Sequence, residues 1–325
     1  MMDIQDQAQR AARRQPADSR LARPFRGLIS APFLPMHEDG AIDWASLKTY
    51  IGWIADQKPS AIAVNMDAAE APALSQEERI EVMRVCAEVV GDRVPLLSGL
   101  IGGSTDGMIA HGRELAAAGA QGFCVFPPFP LFIGSPIPAE MIRRFHADIA
   151  EALHLPLIAF QFPRGWGPDY SGDMLEALAS IPEVIAIKES SFDANQTIQT
   201  VQNVARLSNP IGVLTGSDTF IYEALLMGCG GALIGFAGTA VAELVAMNEA
   251  VQNGDAEAGR AIWTRLAPLA RYCWRPPIRD FRPRMKEVLV MQGLIASAAV
   301  RRPQLGVSAE EREELRSLAK QAGLI

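Results

Sequence analysis

Lys188 closes the apolar run 184–187 (VIAI) and is followed by Glu189, Ser190 and Ser191. An amine whose stem is buried among such residues loses the hydration that stabilises its charged form, so the neutral nucleophile becomes accessible. A neutral amine condenses with a carbonyl to an imine, and the protonated imine is an electron sink that labilises bonds beside the former carbonyl carbon. Position alone suits equally a lysine that snorkels to a rim or pairs with Glu189. Other titratable candidates are Asp67 and Glu70 in the segment 65–70 (NMDAAE) and Asp218 after the apolar run 211–216. Each fits proton transfer, hydroxyl binding or helix capping. Arg164 follows the run 155–160 and suits a substrate carboxylate or a surface loop. His37, His111, His146 and His154 share no metal-ligand spacing, and the four cysteines form no C-x-x-C, so no metal is expected. No G-x-G-x-x-G stands at a strand–helix junction and there is no G-x-x-x-x-G-K-[ST], so no organic cofactor is expected.

These side chains meet only if the chain brings them to one end of one sheet. Eight short apolar runs recur, at 27–34, 60–65, 94–99, 122–126, 155–160, 184–188, 211–216 and 231–236. They are apolar at successive positions, the pattern of strands buried on both faces, which predicts a covered parallel sheet. The intervening segments have helical spacing. Asp43 is an N-cap, Ser75 with Glu78 and Ser308 with Glu311 are capping boxes, Ser104 or Thr105 caps a helix, and Gly119 suits its stop. The GCGG at 228–231 precedes a strand and reads as a helix end, not a phosphate loop. Eight βα units predict a (β/α)8 TIM barrel over residues 24–252, with a C-terminal helical subdomain at 253–325 and a flexible tail at 1–23. An open doubly wound sheet is the competitor, but no composition break divides the chain. In a barrel, chemistry sits where strands end. Those ends present Asp67 with Glu70 beyond, Phe129, Phe160 with Arg164, Lys188 with Ser190, Asp218, and Gly238.

The net charge of −7 argues against a nucleic-acid or anionic-membrane surface, which needs clustered Lys and Arg. With 49% hydrophobic residues the chain has enough apolar surface for a large core. No apolar run reaches the roughly 18 residues of a membrane span. The four cysteines are far apart, so a reduced, cytoplasmic setting is expected, and residues 1–23 lack the continuous apolar stretch of a secretory signal.

Taken together, GLISAPFLPMHEDGAID, ALSQEER, GDRVPLLSG, VIAIKESS, VLTGSD and the closing GLIASAAVRRPQLGVSAEEREEL resemble the dihydrodipicolinate synthase / N-acetylneuraminate lyase superfamily from about residue 26 to residue 325. The lysine of I-K-[ED]-[ST] is the family's most specific mark, and Lys188 occupies it. The resemblance implies an imine between Lys188 and pyruvate or a related 2-oxo acid, and a homo-oligomer, dimer or tetramer. Three departures matter. The family's G-[ST]-[TS]-G-E segment is here Met66-Asp67-Ala68-Ala69-Glu70, which keeps only the glutamate. The tyrosine expected to end strand 5 is Phe160, and the one expected after strand 4 is Phe129. A phenylalanine carries no hydroxyl to shuttle a proton.

The expectation is therefore a divergent member: a Schiff-base lyase, aldolase or hydro-lyase, acting on pyruvate or a 2-keto-3-deoxy sugar acid. Lys188, Glu70 and Asp67 are its expected catalytic residues. Phe160, Phe129, Arg164, Ser190, Asp218 and Gly238 are its expected substrate contacts. The alternatives are a synthase or sialic-acid-type lyase with an altered relay, and a ligand-binding barrel that has lost turnover. Tyr170, ten residues past Phe160, is a remote candidate to supply the missing phenol.

Overall fold

The computed structural model describes residues 18–133, 137–163 and 167–325. Among them, strands and helices alternate: β1 (Gly27–Ser30), α1 (Trp44–Asp56), β2 (Ala61–Val64), α2 (Gln76–Val90), β3 (Leu96–Leu100), α3 (Thr105–Ala117), β4 (Phe123–Val125), α4 (Ala139–Leu153), β5 (Leu157–Gln161), α5 (Asp173–Ala179), β6 (Val184–Glu189), α6 (Ala194–Ala205), β7 (Gly212–Thr215), α7 (Ile221–Leu226), β8 (Gly231–Ile234) and α8 (Val241–Gln252). The strands close a barrel in chain order, and all pairings, including β1 with β8, are parallel. Three further helices follow: α9 (Ala256–Cys273), α10 (Phe281–Met291) and α11 (Ala309–Gln321).

Strand parity explains the unbroken apolar runs. Ile29, Ala61, Ala63, Leu97, Cys124, Ile158, Ala186, Leu214 and Leu233 form one buried cluster that fills the barrel. Their neighbours Leu28, Ile62, Leu96, Val125, Leu157, Ile187, Val213 and Ala232 belong to a second cluster that meets the surrounding helices. Both faces of every strand are thus removed from water, at about 25 cal/mol per Å² of apolar surface. Counting on by two from Ala186 puts Lys188 inside the barrel, and one residue further puts Glu189 outside.

The expected caps form where the physics calls for them. Asp43 accepts from Ser46 N, Ser75 and Glu78 make both arms of a capping box, and Ser104 accepts from Gly107 N. Ser308 accepts from Glu311 N, but the Glu311 carboxylate turns instead to Arg275 and Arg284, at 2.9 and 3.1 Å. Gly119 and Gly228 take φ of +113° and +107°, where a side chain would be strained. The 228–231 turn leads out of α7 into β8, in keeping with a helix end. Within the C-terminal helical subdomain, a 3₁₀ turn at Ile278–Asp280 precedes α10.

Candidate active site

The C-terminal ends of the strands surround a cavity of about 350 Å³ whose floor holds Lys188, Ser190, Asp218 and the glycines Gly216 and Gly235. Lys188 is 8% exposed. Burial pushes its amine below the ordinary lysine range, and the charges of Asp218 and Asp67 offset this only partly. Cys124 also lies near, but burial raises its thiol to about 12, so at neutral pH it carries no countercharge. The counterions available to a cation on Lys188 are therefore the two aspartates.

Phe160 stands opposite Lys188 in the β5–β6 register, and its ring centre lies 3.9 Å from Nζ. The negative face of a ring attracts a cation there by about 0.5–2 kcal/mol. An iminium at the same atom would meet the same face. Phe160 thus offers the amine a cation platform and no hydroxyl. It is itself stacked on Phe162, at 4.3 Å and 22°, and edge-on to Phe126 at 4.7 Å.

Asp218 accepts from Phe236 N at 2.8 Å, which fixes its carboxyl. Burial dominates its chemistry and raises its pKa to about 7, with the Phe236 N–H and Lys188 pulling the other way. It is a carboxyl poised between acid and base near neutral pH. Ser190 is 4% exposed and its Oγ has no hydrogen-bond partner. A Cβ on Gly216 would lie 1.8 Å from Ser190 Oγ and 2.8 Å from Lys188 Cε, so only glycine leaves these two groups their shared space. An unpartnered buried hydroxyl beside a nucleophile is a ready donor to a substrate oxygen.

Glu189 does not pair with Lys188. It faces outward and takes hydrogen bonds from Gln161 Nε2 (3.0 Å), Ser191 N (3.1 Å) and Thr197 Oγ1 (2.6 Å). Gln161 in turn accepts from Tyr170 N at 3.0 Å. This network ties β5 and β6 to the start of α6 and holds Lys188 from behind.

The structure places the remaining expected residues differently. Asp67 reaches the cavity, but its Oδ1 is paired with Arg282 Nη2 at 2.6 Å, and Arg282 Nε also donates to its carbonyl at 2.8 Å. Glu70 is corrected: it is not among the residues that line this cavity, and, itself 5% exposed, it forms an ion pair at 2.5 Å with Nζ of the fully buried Lys286. Arg301 N donates to its other oxygen at 2.8 Å. Its segment turns the carboxylate under the C-terminal helices, not toward Lys188. Gly238 is corrected too: its carbonyl accepts from Tyr50 Oη at 2.8 Å, and a Cβ there would strike that oxygen at 2.5 Å, so Gly235 lines the cavity in its place. Phe129 is 67% exposed in the 3₁₀ turn after β4 and lies outside the cavity lining. Tyr170 packs edge-on to His146, at 6.0 Å, against the outer helices and supplies no phenol to the cavity. Arg164 lies outside the described residues.

The roof escapes the strand-end reasoning altogether. Trp274, Ile278, Arg279, Phe281 and Arg282 come from the junction of α9 and α10, and Phe192 from the loop after β6. Trp274 and Phe281 stack at 5.1 Å and 19°. The signal for them was the density of rings, prolines and arginines in 274–284 (WRPPIRDFRPR), far above the chain average of 7% aromatic residues.

Comparison with known proteins adds a second line of observation. The model of the dihydrodipicolinate synthetase family matches residues 24–322. A 4-hydroxy-tetrahydrodipicolinate synthase of Alcanivorax borkumensis is 28% identical over 303 residues, 93% of this chain and 99% of that protein. One from Stutzerimonas stutzeri is 29% identical, covering 92% and 99%. Among solved structures, the chloride-inhibited dihydrodipicolinate synthase of Acinetobacter baumannii in complex with pyruvate superimposes with a TM-score of 0.82 at 27% identity, over 92% of this chain and 99% of that one.

Proposed function

The chain belongs to the dihydrodipicolinate synthetase family, and on that premise we propose that Lys188 condenses with the carbonyl of pyruvate or a related 2-oxo acid. The protein is a Schiff-base lyase. The observation that carries the assignment of Lys188 is its buried amine inside the barrel, beneath the Phe160 ring and beside the free Ser190 hydroxyl. The neutral amine attacks C2, water leaves the carbinolamine, and the resulting iminium rests under the Phe160 face. Ser190 Oγ donates to the substrate carboxylate. Asp218, as the carboxylate, removes a proton from C3 to give the enamine, and as the acid returns it. Asp67, held by its ion pair with Arg282, serves as a fixed charge in the wall more than as a base. With a hydroxyl on C4, the enamine can expel it as water once it is protonated, which is dehydration, or the iminium can lose the hydroxyl proton and break C3–C4, which is retro-aldol cleavage.

The test needs no knowledge of the full substrate. Pyruvate incubated in D₂O with the enzyme is expected to exchange its methyl protons, followed by NMR, faster than in buffer. The exchange rate should rise with pH through about 7, because the base form of Asp218 is populated above that value and its acid form below it. The neutral fraction of Lys188 grows in the same direction. Asp218→Asn is expected to lower the plateau by about 10²-fold and remove that limb of the profile. Exchange no faster than in buffer at any pH would sink the reading.

Phe160→Tyr checks the altered relay. It restores one hydroxyl, but Phe129 remains outside the cavity and residues 66–69 still offer no hydroxyl. No formation of 4-hydroxy-tetrahydrodipicolinate is expected to appear with this change, and a clear gain would count against the altered relay.

A cytoplasmic homo-oligomer, dimer or tetramer, belongs to the same reading. The four buried free cysteines suit a reducing compartment. Exposed Phe129 and Ile133 after β4 and Leu305 near the C-terminus offer apolar surface for a second copy. Among the described residues no helix is long and apolar enough to cross a membrane.

A further inference from the structure

We infer that the substrate carries an aromatic or similarly apolar group beyond its 2-oxo acid head, and not a polyhydroxylated chain; this rests on the Schiff-base reading of Lys188. The polar groups of the cavity fall into two sets, Lys188, Ser190 and Asp218 at the strand ends and Asp67, Arg279 and Arg282 toward the mouth. Lys188, Ser190 and Asp218 lie together on the floor, where the oxo-acid head must sit for C2 to reach Nζ. Above them the walls are Met66, Phe160, Phe162, Phe192, Trp274 and Phe281. Two stacked ring pairs, Phe160 with Phe162 and Trp274 with Phe281, contribute to that wall.

A sugar-acid chain would bring several hydroxyls into this part of the cavity. Each buried hydroxyl without a partner costs on the order of 1–3 kcal/mol. Among the described residues the upper cavity has little to offer them. Asp67 and Arg282 are paired with each other at 2.6 Å, which leaves them fewer groups than a chain of several hydroxyls would need. Arg279 is 75% exposed at the rim and faces Asp280. An aryl group meets the opposite situation: apolar surface to bury and ring faces and edges to pack against. The size also fits. An apolar cavity of about 150 Å³ holds a benzene ring, so about 350 Å³ accommodates a ring and a short oxo acid.

The reaction that follows balances without a co-reactant. The amine of Lys188 forms the imine at C2 of a 4-aryl-4-hydroxy-2-oxobutanoate and releases water. The C4 hydroxyl proton passes to a base, the C3–C4 bond breaks, and its electron pair enters C2–C3 to form the enamine. An aromatic aldehyde leaves. A proton returns to C3, and water hydrolyses the iminium to pyruvate and the free amine.

The experiment compares pyruvate release from 4-hydroxy-2-oxo-4-phenylbutanoate and from 2-keto-3-deoxygluconate by the purified full chain. The aryl substrate is expected to have a kcat/KM at least about tenfold higher. Phe162→Ser should shrink that ratio at least about threefold by opening the stacked wall. Equal or faster cleavage of the sugar acid overturns the inference. So does an aryl acid that is neither cleaved nor able to slow trapping of pyruvate on Lys188 by borohydride. Failure of pyruvate itself to be trapped overturns the underlying Schiff-base reading instead, so the two failures are distinguishable.

Discussion

Lys188→Met is expected to lower kcat/KM at least about a thousandfold, some 4 kcal/mol of transition-state stabilisation, while leaving the thermal midpoint unchanged or higher. The two halves of the result have one cause. The amine is held at 8% exposure, where desolvation disfavours its charge. That burial makes it a nucleophile and is unfavourable for folding. Methionine fills the same space with no charge to desolvate, so the fold keeps its packing and loses its chemistry. Lys188→Arg should be equally inactive, because a guanidinium stays protonated and forms no imine. Steady-state kinetics with a thermal melt on the same preparation checks both halves.

Lys286→Met should be the reverse case, a loss of stability that reaches the site only indirectly. It strands the Glu70 carboxylate, 5% exposed, with Arg301 N as its remaining partner. Removing one member of a buried ion pair costs about 3–5 kcal/mol. Adding Glu70→Gln should recover much of that loss, since the stranded charge is then gone. The pair links the turn after β2 to α10, whose first turn carries the cavity residues Phe281 and Arg282. Lys286 Nζ also donates to Ala299 O at 2.7 Å, so the strap takes in the chain between α10 and α11 as well. Denaturant unfolding of the single and double variants measures the coupling.

The barrel was legible because burial on both strand faces writes itself as unbroken apolar runs, and because helix caps are local. Lys188 was legible for the same reason: an amine at the end of such a run is a local anomaly. That Asp218 and Ser190 line the cavity could be read from strand ends alone. Glu70 was not legible, because its partner Lys286 stands 216 residues away and no periodicity links them. Gly238 and Phe129 failed by register. Each lies just beyond a strand, where a shift of one or two residues turns a side chain from the cavity to the helices or to solvent. The roof was hidden more deeply, since a segment after the eighth βα unit folds back over the barrel mouth. The missing tyrosines, by contrast, were plain in the sequence. The structure supplies what stands there: a phenylalanine face over the amine and a carboxyl raised by burial.

Borohydride trapping bears most directly on the central claim. The full chain is incubated with pyruvate, reduced, digested and read by mass spectrometry. One reduced pyruvate adduct per chain, on the peptide containing Lys188 and absent from Lys188→Met, is the predicted result. No adduct, or an adduct that persists in Lys188→Met, would contradict the assignment of Lys188 as the Schiff-base residue.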